Sequence, residues 1–314
     1  MTSNNCWQPA VTKQRLRMRA ELLSTIRNFF AEICVLEVIT PSLSLSAATD
    51  VMLDSFSVYS KHSSEFKGYL HTSPELFMKR LLASHSGAIY QICSVFRDGE
   101  VGRYHNPEFQ MLEWYRPGYA MADLIEEVAT LVSRTLQRAG VDYQVIRYLD
   151  LFQSVTGMRA LEVPVQALIE WAMGNGVQID PETAGYDRDT WLQLIMTHVI
   201  EPGFDDQKLT FVSHFPSTQA ALAKLDPGDP SVALRFELYL GGMELANGFE
   251  ELTCPMEQRA RFEADLCQRE RLGCPTVPMD VNFLAALESG MPECSGVALG
   301  LDRLLINNRS SPSA

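Results

Sequence analysis

Charged side chains break into apolar, strand-like runs at four places, and this constrains the chain more than any other feature. Successive side chains of a strand point to opposite faces, so polar residues spaced two apart inside an apolar run share one face of a sheet. The other face is left to a core. Residues 88–96 (AIYQICSVF) and 108–115 (EFQMLEWY) read as two such strands, joined by the polar loop Arg97–Asn106. Glu113 and Tyr115 then face the same way. An acid beside a phenol on a buried strand would make a pocket for an amine. The same alternation also describes the solvent-facing side of an antiparallel sheet.

The second cluster is Arg235-Phe236-Glu237 followed by Glu244-Leu245-Ala246-Asn247-Gly248-Phe249-Glu250-Glu251. The Gly241-Gly242 pair between them permits a tight turn. Two strands meeting there could bring Glu237 and Glu244 to one cation. Oxygen donors without His or Cys favour magnesium or a similar hard ion, and magnesium with phosphates points to a nucleotide. Two exposed acids on a hairpin are the plainer alternative. The third cluster, Ser295-Gly296-Val297-Ala298-Leu299-Gly300-Leu301-Asp302-Arg303, has glycines that admit a flat ligand and an arginine that can grip a phosphate as a planar fork of donors. Such glycines serve packing equally well. The fourth, His71-Thr72-Ser73-Pro74-Glu75, also reads as a helix start capped by Ser73.

The surrounding periodicity predicts amphipathic helices over 15–33, 121–139 and 255–272, and strands over 209–215 and 232–249. Residues 148–208 carry short helical stretches and turn signals, and read as a helical insertion or small subdomain. Residues 1–14 read as a flexible arm and 307–314 as a polar tail. The expected organisation is therefore an α+β domain over 15–306, an antiparallel sheet flanked by helices, with the insertion inside it.

With 26 Lys and Arg against 39 Asp and Glu, the net charge of −13 argues against a broad cationic nucleic-acid surface. No apolar run approaches a membrane span and no secretory signal is visible. Seven scattered cysteines without a Cys-x-x-Cys fit reduced thiols, so the expected compartment is the cytoplasm.

Taken together, the four clusters resemble the catalytic domain of class II aminoacyl-tRNA synthetases, the lysyl type in particular. The match runs from Pro41, as the proline of the first motif, through Phe96-Arg97 and His105-Asn106-Pro107-Glu108-Phe109. It continues through Glu244-x-x-Asn247-x-Phe249-x-Glu251 to Gly-x-x-x-Gly-x-x-Arg303. It spans almost the whole chain. Lysyl-tRNA synthetases carry an N-terminal anticodon-binding barrel, for which this chain leaves no room before residue 15. The chain therefore resembles the elongation factor P–(R)-β-lysine ligase family, the freestanding paralogue of lysyl-tRNA synthetase.

That resemblance implies activation of a lysine isomer by ATP and transfer of the acyl group to a lysine side chain of elongation factor P. It implies (R)-β-lysine as substrate, a homodimer built on the first-motif helix, and no tRNA partner. Arg97 would bind the α-phosphate and the substrate carboxylate, and Arg303 the γ-phosphate. Glu100, His105, Asn106, Phe109, Glu244, Leu245 and Gly300 would complete the ATP site, with Phe109 stacked on adenine. Glu237 and Glu244 would carry Mg²⁺. Ser73, Pro74, Glu75, Glu113, Tyr115, Asn247, Phe249, Glu251 and Ala298 would line the substrate end. Arg103 and Arg116 flank the second motif as candidate contacts for a protein acceptor. Two departures stand against the family pattern. The acid of the second motif is displaced from position 99, which is glycine, to Glu100, and the chain turns polar soon after Ile306, earlier than the third-motif helix would end. Two other readings remain open, a stand-alone lysyl-adenylate or lysyl-tRNA-forming enzyme and a non-catalytic paralogue that binds a partner.

Overall fold

The computed structural model describes residues 7–9, 11–102, 105–137, 142–185 and 187–307. Most of the expected arm (1–6 and 10), Arg103, and the tail from 308 lie outside the described residues. The chain opens with α1 (Lys13–Glu32), where the Thr12 hydroxyl accepts from the Arg15 amide at 3.2 Å and Leu22, Ile26, Phe29 and Phe30 form the buried stripe. Short strands follow, β1 (Leu36–Glu37), β2 (Leu43–Ser44), β3 (Ser57–Tyr59) and β4 (Phe66–Leu70), then α2 (Glu75–Ala83). The long hairpin β5 (Ile89–Phe96) and β6 (Glu108–Pro117) leads to α3 (Met121–Thr135) and β7 (Tyr143–Arg147). The helical segment is α4 (Tyr148–Thr156), α5 (Val165–Gly174), α6 (Pro181–Ala184) and α7 (Arg188–Ile195). Then come β8 (Leu209–Pro216), β9 (Leu225–Asp226), β10 (Asp229–Leu240), β11 (Met243–Glu250), α8 (Pro255–Arg271), α9 (Val281–Gly290), β12 (Cys294–Gly300) and α10 (Leu301–Asn307).

The main sheet runs β1-β5-β6-β12-β11-β10-β8-β7, with β9 beside β10. Its central strands pair antiparallel as expected, but both edges do not: β1 runs parallel to β5 and β7 parallel to β8, so the sheet is mixed. One face is apolar. Leu112 and Trp114 of β6, Val297 and Leu299 of β12, Ala246 of β11 and Phe236 and Leu238 of β10 pack with the buried stripes of α1 and α3. The opposite face is where the interrupting polar residues lie.

Residues 148–204 pack around Tyr148, Phe152, Leu168, Trp191 and Leu192 and lean on the sheet through Val212, Phe215 and Tyr239. Within the expected helical stretches, the last regular helix ends at Ile195 and is followed by a wider turn over Met196–Ile200 and a tight one over Glu201–Gly203. Pro202 supplies no amide to the helical ladder, so a regular helix cannot run through it. Ahead of Pro41 the chain pairs with the sheet only at Leu36–Glu37.

Candidate functional site

Register across the sheet assembles the site in two transverse rows. Gln91, Glu113, Ala298, Asn247 and Glu237 stand abreast on β5, β6, β12, β11 and β10. Tyr115, Gly296, Phe249 and Arg235 form the neighbouring row. A regular strand would send Glu244 and Asn247, three apart, to opposite faces. Here Tyr239 pairs with Glu244 and the next residue back, Leu238, pairs with Ala246, so Leu245 is an extra residue in β11. This bulge sinks Leu245 and Ala246 into the core and keeps Glu244 beside Asn247 on the polar face. Apart from Gln91, the two rows line a cavity of about 750 Å³, with Ser73, Glu75, Arg97, Glu244 and Glu251 around it.

One end of the cavity is an acid cluster. Glu113 is 1% exposed, so its strand face is not the solvent side of a sheet. The Ser73 hydroxyl donates to Glu113 Oε1 at 2.6 Å and the Tyr115 phenol to Oε2 at 3.1 Å. Burial, reinforced by the charge of Glu75, pushes the Glu113 carboxyl well above the ordinary carboxylate range. Ser73 also accepts the Glu75 amide at 3.0 Å, so one side chain opens α2 and orients the acid. Between Glu75 and Glu251 sits Lys79, wholly buried, 2.6 Å from the first and 2.5 Å from the second. Burial favours its neutral amine, but the two carboxylates outweigh that and raise its pKa. Gly296 faces this cluster because nothing larger fits. A methyl there would overlap the Tyr115 ring and Glu251 Oε1.

The other end is cationic and then acidic. The Arg97 guanidinium lies over the Phe109 ring, 5.2 Å from its centroid, with Nε donating to the Thr72 carbonyl at 3.4 Å. Gly99 adopts a left-handed conformation (φ 79°), its amide bonded to Asp98 Oδ1 at 2.9 Å. That turn brings the displaced acid back, and Glu100 ends 3.9 Å from Arg97 and 3.7 Å from His105. Arg303 donates to the Glu244 carbonyl at 3.0 Å, to its carboxylate at 3.2 Å and to His105 Nε2 at 2.7 Å. Glu237 is half-buried and receives hydrogen bonds from Arg235 and from the Tyr239 phenol. Burial raises its pKa. Glu201, at the end of the helical segment, accepts from the same phenol at 3.3 Å, and burial with repulsion from Glu237 and Glu244 lifts it to about 7.

Glu237, Glu244 and Glu201 thus line one cavity with oxygen donors only, and repel one another. A hard dication would relieve that repulsion. Among the described residues no set of three or more acid, His or Cys groups is spaced as a complete metal cage. Magnesium binds through one or two carboxylates and takes the rest of its shell from water and phosphate.

The expected residues divide accordingly. Ser73, Glu75, Arg97, Glu113, Tyr115, Glu237, Glu244, Asn247, Phe249, Glu251 and Ala298 line the cavity. His105 and Arg303 join it through Glu244, and Glu100 through Arg97. Asn106 is exposed on the loop between β5 and β6. Phe109 presents its ring to Arg97. Pro74 is buried at the start of α2, and Leu245 is buried in the core, so it offers only backbone. A methyl at Gly300 would make only ordinary contact with the Arg303 side chain, whereas at Gly296 there is no room for one. Arg116 is held by Glu127 at 3.3 Å and by Tyr119 at 2.6 Å. Sequence reading missed Lys79, Tyr239 and Glu201. The i,i+4 spacing of Glu75 and Lys79 was a visible signal. Glu201 had none, because only the packing of the helical segment on β10 brings it in.

The chain matches the family described as tRNA synthetases class II (D, K and N) over residues 6–311. It is 46% identical over 309 residues to the elongation factor P–(R)-β-lysine ligase of Vibrio cholerae, covering 97% of this chain and 94% of that protein. The proteins of the same name from Erwinia tasmaniensis (47% over 309 residues, 98% and 94%) and Proteus mirabilis (47% over 308 residues, 96% and 92%) are equally similar.

Proposed function

The chain belongs to the class II tRNA synthetase family of the D, K and N type, and from that premise we propose that it activates (R)-β-lysine with ATP and transfers it to a lysine side chain of elongation factor P. The observation that carries this reading is one cavity holding an arginine at one end and buried acids at the other. A diamino acid has the complementary form, a carboxylate and two ammonium groups. The names of its relatives support the ligase and both substrates.

In this reading Arg97 orients the substrate carboxylate against the α-phosphate and stabilises the charge that grows there, a purely electrostatic role. The carboxylate is already the nucleophile, so the first step needs no base. Arg303 holds the far end of the triphosphate, with His105 and Glu244 fixing its guanidinium. Phe109 stacks on adenine, and Asn106, the backbone of Leu245 and Gly300 complete the nucleotide site. Glu237 and Glu244 hold Mg²⁺, which supplies charge neutralisation of the phosphates. Glu75, Glu113, Tyr115, Asn247, Phe249 and Glu251 receive the two ammonium groups, where a charge-assisted hydrogen bond contributes about 1.5–3 kcal/mol.

A homodimer goes with the apolar residues around Pro41. Leu36, Leu43 and Leu45 are exposed and Ile39 is 93% exposed. A second copy would cover them. No helix among the described residues is long and apolar enough to cross a membrane, and the described cysteines are free. Both go with action in the cytoplasm, as does a translation factor as acceptor.

The test is ATP–pyrophosphate exchange with lysine isomers one at a time. We expect exchange with (R)-β-lysine well above that with α-lysine, and no exchange with any diamino acid would sink the reading. Ala298 stands between Glu113 and Asn247 in its row, so its methyl borders the substrate. Ala298→Gly should shift the ratio of α- to β-lysine activation toward α-lysine by about 10–200-fold, the range one methyl commands. An unchanged ratio would remove Ala298 from selection.

A further inference from the structure

A diamino acid brings two ammonium groups, and three carboxylates face the amine end of the cavity, Glu75, Glu113 and Glu251. The mismatch is made good by Lys79. We propose that Lys79 is a positioning residue for substrate recognition, whose fixed charge sets the fully ionised cluster at a formal −2, the charge that two substrate ammonium groups neutralise, while holding Glu75 and Glu251 in place. The inference rests on the diamino-acid reading above.

Lys79 is wholly buried and does not line the cavity, so it acts through its partners and not on the substrate. Its Nζ lies 2.6 Å from Glu75 Oε1 and 2.5 Å from Glu251 Oε2, with the Phe283 ring centroid 5.9 Å away. Each packing element contributes a known group. Beyond Glu75, α2 offers none to the cluster; β6 brings Glu113 and Tyr115, the end of β11 brings Glu251, β12 brings Cys294, α8 brings the neutral Gln258, and α9 brings Phe283. The Tyr115 phenol and Cys294 thiol are both pushed upward by burial and stay uncharged. The three carboxylates and Lys79 are therefore the charges within the cluster, and Arg97 acts on Glu113 from the far end of the cavity in every variant alike. Scaffolding alone does not account for a buried cation here, because well-packed apolar groups replace buried ion pairs at little or no cost in stability.

Without Lys79 the three acids crowd one another with no compensating charge. They ionise later, and productive binding of the diammonium substrate moves to higher pH. An opposite charge at this distance shifts a carboxyl by about 1–3 pH units. We therefore expect the acidic limb of exchange with (R)-β-lysine, followed from about pH 6 to pH 9, to move up by about one pH unit or more in Lys79→Met. Exchange near neutral pH falls about tenfold or more and recovers at the alkaline end. The double variant Lys79→Met/Glu75→Gln removes one charge of each sign, and its limb returns toward that of the unmodified protein even where its maximal rate stays low. Lys79→Arg keeps the charge and keeps the limb, and these two variants carry the comparison where Lys79→Met does not fold. A Lys79→Met limb at the unmodified position overturns the proposal, as does a shifted limb that the double variant leaves unmoved. An unmodified protein that gives no exchange with any diamino acid overturns the underlying reading instead, which separates the two failures.

Discussion

Replacing Arg97 with alanine should lower ATP–pyrophosphate exchange by about 10²–10³-fold, the cost of removing a preorganised donor from the site of developing charge. The guanidinium is set for that role by three contacts, the Phe109 ring beneath it, the Thr72 carbonyl at Nε, and Glu100 at 3.9 Å. None of them uses the full fork of donors, which is left to face the cavity. Arg97→Lys should recover little. A compact ammonium keeps the charge but cannot donate as a planar fork or stack on Phe109 in the same way. The loss belongs in kcat and in kcat/KM together, because the interaction strengthens as charge grows on the phosphorus oxygens. Steady-state exchange as a function of ATP and of amino acid measures this. Activity in Arg97→Ala within about threefold of the unmodified protein, far short of the loss expected of such a donor, would remove Arg97 from the chemistry.

Gly296→Ala carries the second large effect, and for a steric reason. The added methyl would overlap the Tyr115 ring and Glu251 Oε1, neither of which has solvent to move into. Overpacking of this kind costs about 1–3 kcal/mol of stability, readable as a lower midpoint in denaturant at unchanged slope. A shifted Tyr115 also gives up its hydrogen bond to Glu113, and a shifted Glu251 moves away from Lys79. One charge-assisted hydrogen bond to the substrate is worth about 1.5–3 kcal/mol, so disturbing it raises the KM for the amino acid by about 10–150-fold, while the KM for ATP stays near its original value. Gly174→Ala, at the end of α5 and away from the cavity, is the control, since a methyl there meets nothing within 4 Å. Equal damage from both substitutions would contradict the assignment of the close approach to Gly296.

Much of this was legible in the residues. Acids inside apolar strands marked a polar sheet face, pocket or solvent side alike, and alternation alone placed Glu113 with Tyr115. The hairpin at Gly241-Gly242 was legible as two glycines between alternating strands, and it does bring Glu237 and Glu244 to one cavity. The bulge at Leu245 was not, because a sequence does not mark which strand carries the extra residue. The resemblance names Leu245 for the nucleotide site, and the bulge leaves its side chain in the core, with only its backbone to offer. The steric constraint at Gly296 was hidden as well. Spacing shows where glycines are, and only the partner strand shows which of them faces a ring. Lys79 lay hidden in a helix that read as ordinary, since burial of its polar face depends on α9 and β12 closing over it. Glu201 required the whole helical segment to dock against β10.

The central claim is the acceptor as much as the activated acid, and one competition addresses it. The protein, ATP and labelled (R)-β-lysine are mixed with elongation factor P and bulk tRNA together, and label is followed into each. With a net charge of −13 the chain offers little long-range attraction to a polyanion. The account predicts label on elongation factor P at a single lysine, located by mass spectrometry, and none on tRNA. Label on tRNA with none on elongation factor P would contradict it and make the chain a tRNA-charging enzyme.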